Sequence, residues 1–229
     1  MTMTRLSIFV IFVAALALAI AGPVRAADPT FEKLAAYFER NIEDKDAEIR
    51  FEVTGGADGL SSLRILAPDG RVVVELRTPG SKLGVRSFVL ESPEFADDGR
   101  LRADFPQGRY KFEGTTTAGA ELRGEVALSH IFPEPASLSF PKEGQADVPT
   151  SNVTLRWNAP SGVTGCVVVL EQTGTAFEVR AHLPGDARSF AVPAGFLRPG
   201  TAYKVAIGTI SRAGSRSFVE TEFKTKAGP

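Results

Sequence analysis

The sequence predicts an all-β protein made of two tandem β-sandwiches, and three observations carry that prediction. From Ala47 onward, apolar residues recur at every second position, as in Ile49, Phe51 and Val53 against Glu48, Arg50 and Glu52. Short runs of this kind are separated by clusters such as Gly55-Gly56-Ala57-Asp58-Gly59 and Pro68-Asp69-Gly70. Only one stretch has helical spacing, so the alternating helices of a parallel sheet are missing.

Met1 to Ala26 has the layout of a cleaved signal peptide: Arg5, an apolar run from Leu6 to Ala21, the breaker Gly22-Pro23, and the exit Val24-Arg25-Ala26. The run is shorter than the roughly 20 residues that span a bilayer. Cleavage after Ala26 is expected, and no nearby cysteine offers a lipid anchor. The mature chain is then 229 minus 26, or 203 residues, enough for two small cores.

Phe31, Leu34, Ala35, Phe38 and Ile42 fall three or four apart, with Glu32, Lys33, Glu39, Arg40 and Glu43 between them. This predicts a short amphipathic helix from Asp28 to about Asp44, started by Asp28-Pro29 and docked on the first sheet. Strands follow at Ile49–Val53, Leu63–Ile65 and Val72–Leu76, the last two as a hairpin. Ser87–Glu91, Arg109–Glu113 and Leu122–His130 continue the pattern. Helix and strands together make a first domain over residues 27–132.

Pro133 and Pro135 bracket a three-residue linker, 133–135, that holds the backbone extended. It predicts two domains end to end with limited relative freedom. In the second domain, residues 136–229, strands are expected at Leu138–Phe140, Asn152–Trp157, Gly165–Gln172 and Ser189–Pro193. They continue from Tyr203 through Ile207 and end with Phe218 and Phe223 in a last strand. Val153, Leu155 and Trp157 share one face, and Cys166, Val168 and Leu170 point inward in the next strand.

Trp157 and the series Leu197, Pro199, Gly200, Tyr203 make residues 136–226 resemble a fibronectin type III domain, an immunoglobulin-like sandwich. The resemblance implies that the Tyr203 ring lies in the core while its hydroxyl bonds nearby backbone. Cys166 stands where that family carries an aromatic. The segment Phe105-Pro106-Gln107-Gly108-Arg109-Tyr110, continuing through Leu128-Ser129-His130, also resembles the region before the type III domain in a group of exported bacterial proteins. That likeness implies architecture and export and says nothing of activity.

Composition excludes several function classes. Without Arg5 and Arg25 the chain has 24 basic and 27 acidic side chains and no run of like charge, so no nucleic-acid partner is expected. The one cysteine, Cys166, leaves no internal disulfide. His130 and His182 fall in different domains. Cys166 with His182 is therefore the best catalytic pair on offer, against the simpler reading of an inert core thiol and a surface loop histidine before Pro184. No His/Cys cluster suggests a transition metal. Asp97-Asp98-Gly99 and Asp58 lie in expected loops that could offer calcium oxygens, but without a regular ligand spacing they read as solvated turns. Gly55, Gly56 and Gly59 lack the Lys and Ser/Thr of a phosphate loop. Glu113, Glu121 and Glu125 alternate onto a solvent face and could pair for glycoside cleavage only across a groove.

No catalytic, cofactor or metal residue is therefore assigned. The expected function is a non-catalytic, periplasmic or secreted module that binds or spaces a protein partner in the cell envelope. A carbohydrate-binding accessory protein and a hydrolase with an unrecognised carboxylate site are the alternatives. Exposed aromatics would mark the first alternative and two convergent carboxylates the second.

Overall fold

Ala36, Tyr37, Phe38 and Glu39 follow one another in the chain, and all four are buried. The reason is the place their strand takes in the fold. The computed structural model describes residues 30–78 and 83–228; the signal peptide and the start of the expected helix lie outside them. Fifteen strands and one helix follow in order. The first half holds β1 (Lys33–Asn41), β2 (Asp46–Thr54), β3 (Leu60–Leu66), β4 (Val72–Arg77), β5 (Ser87–Glu91), α1 (Asp98–Asp104), β6 (Gly108–Thr116) and β7 (Glu121–Leu128). The second holds β8 (Ser137–Phe140), β9 (Gln145–Val148), β10 (Thr154–Asn158), β11 (Gly165–Gln172), β12 (Glu178–Pro184), β13 (Ser189–Ala191), β14 (Ala202–Ile210) and β15 (Arg216–Thr225). The described residues are all-β apart from α1, and no helix among them is long and apolar enough to cross a membrane.

The expected amphipathic helix is strand β1. Leu34, Ala36 and Phe38 enter a core with Ile49, Phe51, Leu63, Tyr110 and Phe112, while the alternate residues Tyr37 and Glu39 are covered from the other side. Burial on both faces erases the polar/apolar alternation that marks a strand, and the leftover spacing of Leu34, Ala35 and Phe38 mimics a helix. The one helix stands at Asp98–Asp104, where a loop is expected. Asp97 caps it by accepting from the Gly99 amide at 2.8 Å, and Leu101 is its single buried residue.

Three sheets result. One orders β4-β3-β6-β7, a second β13-β10-β8, and the longest runs β12-β11-β14-β15-β1-β2-β5 with β9 beside β15. The four-stranded sheet shares a core with β1, β2 and β5, and the three-stranded sheet shares a second core with β11, β14 and β15. At the β3–β4 turn the Gly70 amide bonds the Ala67 carbonyl at 2.9 Å, with Gly70 at φ 84°, a conformation that suits a residue without Cβ.

The two sandwiches do not stand end to end. They lie side by side, because β1 pairs in parallel with β15 in the register Glu39↔Arg216, Arg40↔Ser217 and Asn41↔Phe218. Proline alone does not hold the linker. The Pro133 carbonyl accepts from Ser217 Oγ at 2.7 Å and from Arg40 at 3.2 Å, and the Glu134 carbonyl accepts from Thr209 Oγ1 at 2.8 Å. Phe132 lies 4.8 Å beneath the Arg40 guanidinium and 6.0 Å from the Phe38 ring. These bonds tie the linker to both halves, and Arg40 Nε donates directly to Ser217 Oγ at 2.8 Å, so the relative position of the halves is fixed by many weak contacts as well as by backbone pairing.

Candidate functional site

The inner faces of the long sheet are consumed by the two cores, which leaves its outer face for function. Pairing register sets what that face carries. Glu39 lies opposite Glu48 on one side and Arg216 on the other, and Tyr37 lies opposite Arg50, which lies opposite Glu91. Glu39 accepts from Arg216 Nη1 at 2.6 Å and from Arg50 Nη1 at 2.8 Å. Arg50 also pairs with Glu91, and the Tyr37 hydroxyl donates to Glu52. The Arg216 guanidinium sits 4.1 Å above the Tyr37 ring. Burial, followed by the Glu52 bond, pushes the Tyr37 hydroxyl far above its usual range, so it stays a donor.

Beside this network runs a groove of about 200 Å³. Its floor is Val169, Ala206 and Phe218. A Cβ on Gly208 would stand 2.5 Å from the Phe218 ring, so the ring lies across that glycine; with Ile210 it packs on the Val167, Val169 and Ala206 cluster. Carboxylates dominate the wall on the β1–β2 side. Glu48 is driven up to about 7, first by burial and then by repulsion from Glu91 and Glu39, against which Arg50 at 4.0 Å compensates only in part. Burial and the charges of Glu94 and Asp44 raise Asp46 as well. The arrangement therefore sets one carboxylate held by two arginines, Glu39, beside one, Glu48, whose carboxyl is raised to about 7.

None of the residues singled out from sequence lines this groove, and only Glu113 and Glu121 among them share another, on the four-stranded sheet beside Arg64 and Arg123. Cys166 is fully buried in the second core, and burial raises its thiol further, as a core thiol requires. His182 lies on strand β12, not in a loop, and pairs with Val167, whereas Cys166 pairs with Leu183. Alternation therefore sends His182 to the outer face, opposite to the thiol. His130 is 2.8 Å from the Phe105 carbonyl and packs on Phe38 at 5.4 Å. Asp97 and Asp98 belong to the cap and first turn of α1, and Asp58 is an exposed turn residue. Glu113, Glu121 and Glu125 pair with Arg64, Arg123 and Arg109 on the four-stranded sheet, away from the groove. Gly55, Gly56 and Gly59 form the β2–β3 turn. No group of three or more potential metal-binding side chains occurs among the described residues.

Trp157, Tyr37, Tyr110 and Tyr203 are all buried, and Phe177 is the one exposed aromatic among the described residues. The Tyr203 hydroxyl accepts from the Arg198 amide at 2.8 Å and donates to the Phe196 carbonyl at 3.2 Å, the corner that the type III resemblance implies. Sequence reasoning missed Tyr37, Glu39, Glu48, Arg50 and Arg216 as a group. The alternating Glu48-Arg50-Glu52 row was visible, but its opposition to Glu39 depends on a pairing between segments distant in the chain.

No family model and no curated protein matches the sequence. Among solved structures, the chain is similar to the fibronectin(III)-like modules of Clostridium thermocellum CbhA, at 10% identity and a TM-score of 0.36, over 86% of this chain and 94% of that one. A two-domain fibronectin type III segment of chicken tenascin gives 15% identity and a TM-score of 0.34, over 86% and 98%. The FN1–FN3 domains of chicken CNTN1 give 11% and 0.35, over 87% of this chain and 65% of that one.

Proposed function

We propose that the chain is an exported, non-catalytic module, periplasmic or secreted, that binds or spaces a protein partner in the cell envelope. The observation that supports this reading best is the fusion of both sandwiches into one sheet through β1 and β15, with the linker carbonyls bonded across the seam. A stiff two-core body whose long sheet keeps one face outside both cores suits presentation and contact better than turnover. Glu39, the carboxylate nearest to Glu48 in register, is held by two arginines and has no free role as a nucleophile. With Phe177 alone exposed, an aromatic platform for sugar rings has little support.

The hydrolase alternative keeps one supporting observation, the proton-exchanging Glu48 in an open groove. One experiment separates the two. Immobilised protein comprising residues 27–229 is expected to retain an envelope protein saturably and to turn over no member of a panel of glycoside, ester and peptide substrates. Turnover that Glu48→Gln abolishes overturns the proposal.

A further inference from the structure

We propose that the groove on the outer face of the long sheet receives an extended segment of the partner rich in lysine or arginine. The aliphatic stems would lie on Val169, Ala206 and Phe218, and the cationic heads among Asp46, Glu48 and Glu94. This rests on the protein-binding reading above and names the chemistry of the partner.

Charge complementarity selects the occupant. Seven carboxylates line the groove against four cations. All four cations are already engaged: Arg50 with Glu39 and Glu91, Arg40 with Ser217 and the Pro133 carbonyl, Lys204 with Glu171 and Glu220, and Arg180 with Glu178. Asp46 and Glu94 have no ion pair among the described residues, and Glu48 reaches Arg50 only at 4.0 Å. Arg40 has neutral partners only, but Asp46, Glu48 and Glu94 outnumber it, so the net uncompensated charge is negative. An acidic segment would be repelled, and a second copy placed face to face would set carboxylates against carboxylates. Long basic side chains match the floor as well, because their methylene stems cover apolar surface while the heads remain in a polar rim.

The location adds a coupling. The groove takes residues from β1 and β2 of one sandwich and from β11, β12, β14 and β15 of the other, so an occupant bridges the seam. Around Glu48 stand Glu39 on β1, Arg50 on its own strand, Glu91 on β5 and Glu94 just beyond it. Acidification from pH 8 to pH 6 protonates Glu48 and removes one of the charges that attract the segment.

The test is fluorescence anisotropy of the whole chain, at low salt, with a capped labelled peptide alternating lysine and valine and its glutamate counterpart. At pH 8 only the lysine peptide is expected to bind, more weakly at pH 6 and in high salt. A variant combining Asp46→Asn, Glu48→Gln and Glu94→Gln is expected to bind it about tenfold more weakly, with a melting temperature that is not lowered. A second variant, Glu113→Gln with Glu121→Gln and Glu125→Gln on the other sheet, controls for bulk charge. Equal binding of both peptides, no loss in the groove variant, or an equal loss in the control variant overturns the inference. Retention of an envelope protein by the groove variant at full strength would also overturn it, while leaving the protein-binding function standing.

Discussion

Each sandwich closes around a buried tyrosine that follows a proline by four residues: Pro106 and Tyr110 in the first, Pro199 and Tyr203 in the second. The two corners differ in their bonds. Tyr110 makes one, donating to the Pro106 carbonyl at 3.1 Å, whereas Tyr203 both accepts from the Arg198 amide and donates to the Phe196 carbonyl. The same local device thus serves both cores, yet only the second carries the Leu-x-Pro-Gly run that announces it. In the first, Phe105-Pro106-Gln107-Gly108 places its glycine one residue later, which hides the kinship from a reader of sequence.

Replacing either tyrosine by alanine gives the largest expected effect. Both Tyr110→Ala and Tyr203→Ala should lose about 3–5 kcal/mol, because each empties a fully buried ring position. Since the halves share a sheet, calorimetry should show one transition lowered in both variants; two transitions, of which only one moves, would break the comparison. Arg216→Ala should come next, at ~3 kcal/mol by chemical denaturation, because it leaves the buried Glu39 with Arg50 as its one remaining cation. Tyr203→Phe should cost about 2 kcal/mol and Tyr110→Phe about 1 kcal/mol, in the ratio of the bonds removed. Equal costs would mean that the second bond at Tyr203 contributes nothing.

One further effect depends on pH. Glu48 holds its proton more tightly in the folded protein, at about 7, than its ordinary 4.5. The native state therefore binds more protons than the unfolded one between those values, and stability falls as pH rises through them. Glu48→Gln should leave the melting temperature unchanged near pH 4 and raise stability by ~1–2 kcal/mol at pH 8, a figure reduced for the solvent around this side chain. An equal gain at both pH values would show that the carboxylate carries no such strain.

Legibility from sequence followed burial on a single face. Ile49, Phe51 and Val53 alternate against charged neighbours, and Ser87–Glu91 and Gly165–Gln172 carry strands with the bounds expected for them. Trp157, Cys166 and Tyr203 go to the core as their types suggest. β1 was unreadable because both its faces are covered, one by the core and one by arginines from β2 and β15. β9 was missed because four residues beside β15 carry almost no pattern, and β12 because it is an edge strand of half-buried residues. The charged cluster was hidden for a related reason. Its members are ordinary surface types one by one, and only the long-range pairing of β1 with β15 sets Glu39 between Arg50 and Arg216.

That pairing is the claim on which the proposed function and the groove both rest. Its most direct reporter is the Ile42 amide, which crosses the seam to the Phe218 carbonyl at 3.0 Å. In native-state hydrogen exchange, Ile42 should be protected to within about tenfold of the β14 amides. Exchange of Ile42 at the rate of an open chain, with β11 and β14 still protected, would mean that the two sandwiches come apart and that the shared sheet is not the working form of the protein.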